Sequence, residues 1–380
     1  MELNNKRILI ISPEPWGKML LSKHHYTLEL LKKGNTVYFL SGQSNNHKWK
    51  ISKADFTNKL FFISYPRLPL LEKIRFHYRS LYLFILSVII PQLNRKIGKT
   101  DLLISFDCNG VFPKLKMFEA SKRLFFPVDQ IPHKYRSEYS GFEHVLSITP
   151  IILNSIQTNK EKHLFHHGLN SAFAQNALNL LKSNQAASDK KEAIKVAYVG
   201  NLLIGEILDR KSLTTIIEEH PQIEFHFFGP YSAKQSNIGA SANDESVSFI
   251  TYLKKQSNCT LHGAMSPDNL VTQLNDFHAY LLCYNNLFDK NEGSNAHKIM
   301  EYLSYGKAII ASNVSMFNKN SHLLHMLPDW NNDNYPGLFN KIIKELKQHN
   351  EVAKQKERIN FALSNQYKDK IIQIENIISL

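Results

Sequence analysis

The most constraining feature of this chain is the way apolar strands and helices alternate along it. Residues 7–12, RILIIS, form an uninterrupted apolar run that stops at the turn Pro13-Glu14-Pro15-Trp16-Gly17. Leu20 to Lys33 carries helical spacing, Gly34-Asn35 supplies a stop, and Thr36 to Leu40 resumes a strand. A strand that is apolar on both faces has no solvated side, so it belongs in a parallel sheet covered by helices. Further strands of this kind are predicted at 60–64, 102–105, 123–126 and 144–148, most of them separated by helices.

The texture changes over 178–193, ALNLLKSNQAASDKKE, which is polar, Lys-rich and without strand character. It reads as a domain boundary. A second α/β series follows, with strands predicted at 195–199, 223–228, 260–263, 279–284 and 308–312. Helices are expected at 209–219, 267–274 and 297–305, then a basic helix at 337–348 and helical residues from 351 to the end. Residues 231–248, rich in Ser, Asn, Ala and Gln, read as an excursion. At 380 residues the chain exceeds the size of one hydrophobic core, so two or more α/β domains are expected. Ligands of such folds sit at the carboxyl ends of the strands.

Charge and cysteine content narrow the partners. A formal charge of +13 favours anionic ones such as nucleotides, phosphate groups or an anionic membrane surface. The basic residues are dispersed and match no zinc-finger, basic-zipper, KH or RRM signature, so nucleic acid is not expected. Three scattered cysteines make no disulfide scaffold and fit a reducing, cytoplasmic setting. The N-terminal residues lack the apolar region and cleavage site of a signal peptide. The longest apolar run, Leu81 to Pro91, is too short to span a membrane. With Lys73, Arg75, Phe76, His77, Tyr78 and Arg79 before it, it reads either as a membrane-surface segment or as a buried helix.

The strongest local signal is 291–307, NEGSNAHKIMEYLSYGK. A polar, glycine-containing turn through Ser294 and Asn295 leads into a helix start, where free backbone N–H groups can hold a phosphate. Lys298 stands near that end, able to neutralise a diphosphate. Glu301, three residues on, shares its helix face, and a carboxylate there can take the hydroxyls of a ribose. An exposed Lys–Glu pair ahead of an ordinary glycine stop fits the same residues. Gly200, ending the first strand of the second series, would let a phosphate or sugar approach the backbone, and Asn201 adds a side-chain donor. A plain structural turn is the competing reading. Arg210 and Lys211 are further candidates for a diphosphate.

The stretch Ser294 to Ile310, SNAHKIMEYLSYGKAII, resembles the donor-binding signature of nucleotide-sugar glycosyltransferases of GT-B architecture. It is similar to the N-P-x-K-x-x-E-Y-L-A-x-G-K-P pattern of glycosyltransferase family 4. Lys298, Glu301, Tyr302, Leu303, Gly306 and Lys307 match, while Ala296 and Ala308 stand where prolines are common. Val196 to Asn201 with Asp209, Phe225 to Gly229 with Pro230, Leu261-His262-Gly263, and His166 to Asn170 resemble other family segments in the same order. Many relatives carry a second glutamate eight residues before the first; here that position is Gly293, and Glu292 lies one residue further away.

The resemblance implies two Rossmann-like domains facing across a cleft: an acceptor domain at 1–178, a donor domain at 190–355, and a C-terminal helical segment, 356–380, crossing back to the first. It implies transfer of a sugar from a nucleotide-diphosphate sugar, of UDP or GDP type, to a hydroxyl of a glycan. A lipid-linked saccharide at the cytoplasmic membrane face suits the basic surface and the 73–90 segment. Donor contacts are expected from Gly17, Gly200, Asn201, Arg210, Gly229, His262, Ser294, Asn295, Lys298 and Glu301. Asp107, Asp129, His133 and Lys298 are the catalytic candidates. Retention of configuration is the family's outcome, and an inverting route would use Asp129 or Asp107 as general base. No metal or other cofactor is expected, since no histidine pair has HExxH spacing and this architecture neutralises the leaving diphosphate with basic side chains. A nucleotide-sugar epimerase or hydrolase, or a non-catalytic nucleotide-sugar-binding partner, are the alternatives.

Overall fold

The computed structural model describes residues 1–17, 19–183, 193–232, 243–285 and 296–379. They form two α/β units. The first comprises Met1–Trp16, Leu21–His166 and the chain from Lys368 on; the second comprises Gly17–Leu20 and His167–Tyr367.

The first unit holds β1 (Arg7–Ile11), β2 (Thr36–Gln43), β3 (Lys50–Lys53), β4 (Leu60–Tyr65), β5 (Thr100–Ser105), β6 (Ala120–Phe125), β7 (His144–Ser147) and β8 (Glu161–Leu164). The sheet order is β3-β4-β2-β1-β5-β6-β7-β8, and every pairing is parallel except β3 with β4. Every apolar run read as a strand is one. The two strands without an apolar signature, Lys50–Lys53 and Glu161–Leu164, are the sheet edges. Charge on an edge strand blocks pairing with other chains, so their polarity follows from their place.

The second unit holds β9 (Lys195–Val199), β10 (Glu224–Phe228), β11 (Cys259–Gly263), β12 (Ala279–Leu282), β13 (Ala308–Ala311) and β14 (His325–Met326), all parallel, in the order β11-β10-β9-β12-β13-β14. This is the doubly wound arrangement, with its switch point between β9 and β12. Helix starts are set locally. Asp209 accepts from the Ser212 amide at 3.0 Å to cap the Arg210–Glu219 helix, and Ser266 with Pro267 opens Pro267–Gln273. Part of the expected excursion is a helix, Asp244–Lys255, capped by Asn243; residues 233–242 lie outside the described ones.

Two segments divide differently from the spans read in the sequence. Ser171–Ser183 belongs to the second unit, where Phe173 and Ala174 are buried in the core with Phe277, Tyr305 and Leu274. In the Val352–Leu363 helix, Ala362 joins the same core, and the buried Arg358 guanidinium donates to the carbonyls of Leu323, Gly306 and His349. Only the Tyr367–Ser379 helix, from Lys368 on, belongs to the first unit. There Glu375 accepts from the Leu3 amide at 2.6 Å and pairs with Lys33 at 2.7 Å.

The Leu81–Pro91 run lies in the helix Arg79–Ile97. Tyr82, Leu86, Ile89, Ile90, Leu93 and Ile97 are buried, whereas Tyr78, Leu81, Phe84 and Val88 are exposed. No described helix is long and apolar enough to cross a membrane.

Candidate functional site

In the second unit the switch point is built from glycines and tyrosines. β9, β10 and β11 end in or just before Gly200, Gly229 and Gly263. The Gly200 amide donates to Phe228 and the Gly229 amide to Gly263, both at 2.8 Å, so the three strand ends are stitched at backbone distance. Gly229 has φ +137°, and a Cβ there would lie 1.9 Å from the Gly200 carbonyl oxygen. A Cβ on Gly200 would lie 2.5 Å from Lys298 Nζ and 2.6 Å from the Tyr198 hydroxyl. Both positions therefore require glycine, and Gly200 opens the space that the lysine occupies.

Lys298 opens the short helix Lys298–Leu303 and is only 6% exposed. Its ammonium lies 4.9 Å from the ring centre of Tyr198, on β9, and 5.0 Å from that of Tyr284, just past β12. Glu301 is 7% exposed, and its carboxylate has no hydrogen-bond partner among the described residues. The Tyr198 hydroxyl is likewise buried and unpartnered. Burial pulls Lys298 down to about 7 against the pull of Glu301, and pushes Glu301 up to about 7 against the pull of Lys298. The exposed-pair reading of Lys298 and Glu301 is thus set aside. Buried charges cost stability unless something pairs with them, and these converge with an orphaned hydroxyl at a strand-end switch point. Tyr302 locks the helix in place: its hydroxyl accepts from the Val199 amide at 2.7 Å, and its ring stacks on Tyr280.

The remaining second-unit candidates have local partners. Asn201 accepts from the Leu203 amide at 2.9 Å, shaping the turn after Gly200. Arg210 donates to Gly205 O at 2.5 Å, Ile204 O at 3.3 Å and Ser246 Oγ at 2.7 Å, which ties the 204–205 loop to the Asp244–Lys255 helix. His262 stacks on Phe228, centroids 4.2 Å apart, and its Nε2 is 2.9 Å from His226 Nδ1. Burial and His226 hold its pKa below the usual value. Gly17 falls in the Gly17–Leu20 stretch. Ser294, Asn295 and Glu292 lie outside the described residues.

In the first unit, β1 and β5 flank the corresponding switch point, and a cavity of about 360 Å³ opens there. Asp107 lines it, 1% exposed, accepting from the amides of Asn109 at 3.0 Å and Phe112 at 2.7 Å. Its pKa is raised by burial and opposed by those amides. Asp129 follows β6 and feels the charges of Lys23 and Glu14, themselves an ion pair. The buried Cys108 thiol feels both aspartates. The structure thus brings Asp107 and Asp129 to one neighbourhood. His133 is exposed, on a single turn at His133–Tyr135.

Sequence reasoning missed Tyr198 and Tyr284 as partners of Lys298, and Arg75, Phe76, Tyr65 and Lys134 as walls of the first-unit cavity. The tyrosines carry no signal beyond aromatic residues at strand ends. The cavity residues come from three separate segments. Among the described residues, one cluster has metal-ligand geometry: His144, Glu161 and His163, with donor atoms 3.3–3.7 Å apart on the β7–β8 edge. None of the candidate site residues belongs to it.

No family model and no curated protein sequence matches this chain. Solved structures do. A sucrose-phosphate synthase from Thermosynechococcus elongatus is 13% identical, with 98% of each chain covered and a TM-score of 0.67. A glycosyltransferase from Rickettsia africae is 12% identical over 99% of this chain and 98% of its own, TM-score 0.67. A UDP-forming α,α-trehalose-phosphate synthase from Burkholderia xenovorans is 9% identical over 97% and 98%, TM-score 0.64. At such identities the likeness establishes architecture and does not single out family 4. The chain has the GT-B fold, two Rossmann-like α/β units with a C-terminal helix.

Proposed function

We propose that this protein is a glycosyltransferase that moves a sugar from a nucleotide-diphosphate sugar, of UDP type, to a hydroxyl of a glycan or lipid-linked saccharide. The observation that carries the reading is the buried set of Lys298, Glu301 and the Tyr198 hydroxyl, in which the carboxylate and the phenol have no hydrogen-bond partner among the described residues and Lys298 and the phenol lie beside Gly200. An anionic diphosphate would pair Lys298 and keep it charged, which supplies stabilisation where negative charge develops on the leaving group. Glu301 would take the ribose hydroxyls, and Gly200 and Gly229 would let the phosphates reach the backbone. The match of this segment to the family 4 pattern supports the same roles. The fold is shared with enzymes named as UDP-forming synthases, which supports UDP as the nucleotide.

In this reading the second unit holds the donor and the first the acceptor. Retention is the expected outcome; in an inverting route Asp107 or Asp129 would serve as base. The exposed Tyr78, Leu81, Phe84 and Val88, with Lys73 on the preceding helix, support peripheral contact with an anionic cytoplasmic membrane face. The test is a thermal-shift titration with UDP, GDP and CMP on wild type and Glu301→Ala, followed by donor turnover with candidate acceptors. A shift with UDP that Glu301→Ala abolishes is expected. Equal shifts in both proteins, or none with any nucleotide, would remove the donor assignment.

A further inference from the structure

The β7–β8 edge of the first sheet gathers ligand atoms that the donor reading leaves unused. The two strands pair in parallel, with His144 opposite Glu161 and Leu146 opposite His163. Side chains two residues apart on a strand share a face, so Glu161 and His163 lie on one side of β8, and His144 meets them from β7. His144 Nδ1 lies 3.3 Å from His163 Nε2 and 3.5 Å from Glu161 Oε2. The same carboxylate oxygen lies 3.7 Å from His163 Nε2. Three ligand atoms thus form a nearly equilateral triangle.

These separations are long for hydrogen bonds and right for coordination. Hydrogen bonds from a ring N–H run at about 2.7–3.2 Å, shorter than all three sides. A triangle with sides of about 3.5 Å has its centre about 2.0 Å from each corner, which matches zinc–imidazole and zinc–carboxylate bonds of about 2.0–2.2 Å. Two imidazoles and one carboxylate are also a set that zinc accepts with its fourth position left to water. The ligands have a firm base and an open side. His144 is buried on β7, all four of whose residues are buried, whereas Glu161 on β8 is exposed. A cation at the centre of the triangle would therefore be held from the sheet interior and reached from solvent.

We propose that His144, Glu161 and His163 bind a zinc-class divalent cation that clamps β8 to β7. β8 is a four-residue edge strand paired on one side, so few ladder hydrogen bonds hold it, and a shared metal would add a cross-strand link. It ends at Leu164, just before the first unit gives way to the second at His167. The ligands belong to none of the donor or catalytic candidates. The metal is therefore structural and supplies no step of sugar transfer, and the inference stands independently of the transferase reading. Imidazole ligands select a borderline-soft ion such as Zn²⁺ over Mg²⁺ or Ca²⁺, which favour oxygen ligands.

The experiment uses the untagged full chain, stripped with EDTA, as wild type, Glu161→Gln, His163→Ala and His322→Ala. Glu161 is exposed, so its replacement by glutamine leaves the fold intact even if His163→Ala does not. His322 forms an exposed pair with Glu357 at 3.4 Å and controls for binding by any surface histidine. Calorimetric titrations are run with Zn²⁺, Co²⁺ and Mg²⁺, and thermal unfolding is followed with and without Zn²⁺. Loss of an outer-shell partner alone costs about tenfold to a hundredfold in metal affinity, so loss of a ligand should cost at least that. One Zn²⁺ per chain is expected, weakened to this degree in Glu161→Gln and His163→Ala and unchanged in His322→Ala. Zn²⁺ should raise Tm in wild type and His322→Ala and lose that effect in both ligand variants. Bound Co²⁺ should show the intense visible absorption of a four-coordinate site. No Zn²⁺ binding, binding that Glu161→Gln leaves unchanged, Mg²⁺ bound as tightly as Zn²⁺, or a wild-type Tm that Zn²⁺ does not raise overturns the inference.

Discussion

Glu301→Gln separates the function of the buried pair from its cost. Raising the carboxyl from 4.5 to about 7 corresponds to roughly 3 kcal/mol of ionisation cost in the native state. Between those two pH values the folded chain keeps a proton that the unfolded chain has released. Native stability therefore falls as pH rises through that window, and the full cost persists above it. Glutamine keeps the shape of the protonated carboxyl and does not titrate. The variant should match wild type near pH 4.5 and become more stable with rising pH, the difference approaching roughly 3 kcal/mol near pH 8. Lys298, pulled down to about 7, adds a rise in stability from there towards 10.5; in the glutamine variant, which lacks the pull of Glu301, that rise begins at lower pH. Urea titrations across pH, compared at matched slopes, measure the difference. The same substitution should weaken UDP binding about tenfold to a hundredfold, because a charged hydrogen-bond acceptor is lost. A difference that is flat with pH, or a glutamine variant less stable than wild type at pH 8, would refute the argument that Glu301 is held ionisable at a cost for a ligand.

Other substitutions test the surrounding structure. Gly229→Ala places a Cβ 1.9 Å from Gly200 O at φ +137° and should cost roughly 3 kcal/mol or more, whereas Gly205→Ala, with nothing within 4 Å, should stay within about 0.5 kcal/mol; paired urea midpoints compare them. Arg358→Met strips the donors from Leu323 O, Gly306 O and His349 O, and an expected loss of about 3 kcal/mol is read from the same titration. Burial, with Lys23, pulls His24 down to about 4, so the unfolded chain holds a proton the native state lacks between there and 6.5. Stability should rise with pH across that window, and His24→Gln should flatten the rise; an unchanged slope would count against it. Phe84→Ser, at a side chain 65% exposed, should reduce flotation with anionic vesicles while leaving UDP binding intact, and equal flotation would remove the membrane contact.

The sequence by itself determined the architecture. Runs such as RILIIS and TVYFL are apolar on both faces, a pattern with one stable home, and every such run is a strand of a parallel sheet. Strands lacking that pattern, Lys50–Lys53 and Glu161–Leu164, were invisible because an edge position, not composition, makes them strands. The Lys298–Glu301 spacing was also legible, since three residues on a helix share a face. Whether that face was wet or dry was not. Burial is a property of what packs around a residue, and Tyr198, Tyr284 and Gly200 reach Lys298 from positions about 100 and 14 residues away in the chain. The same holds for Arg75 and Lys134. Each reads locally as an ordinary surface cation, and only the folding of β4, β2, β1 and β5 side by side brings Lys134 to the ring of Phe76, next to Arg75, at the mouth of a single cavity.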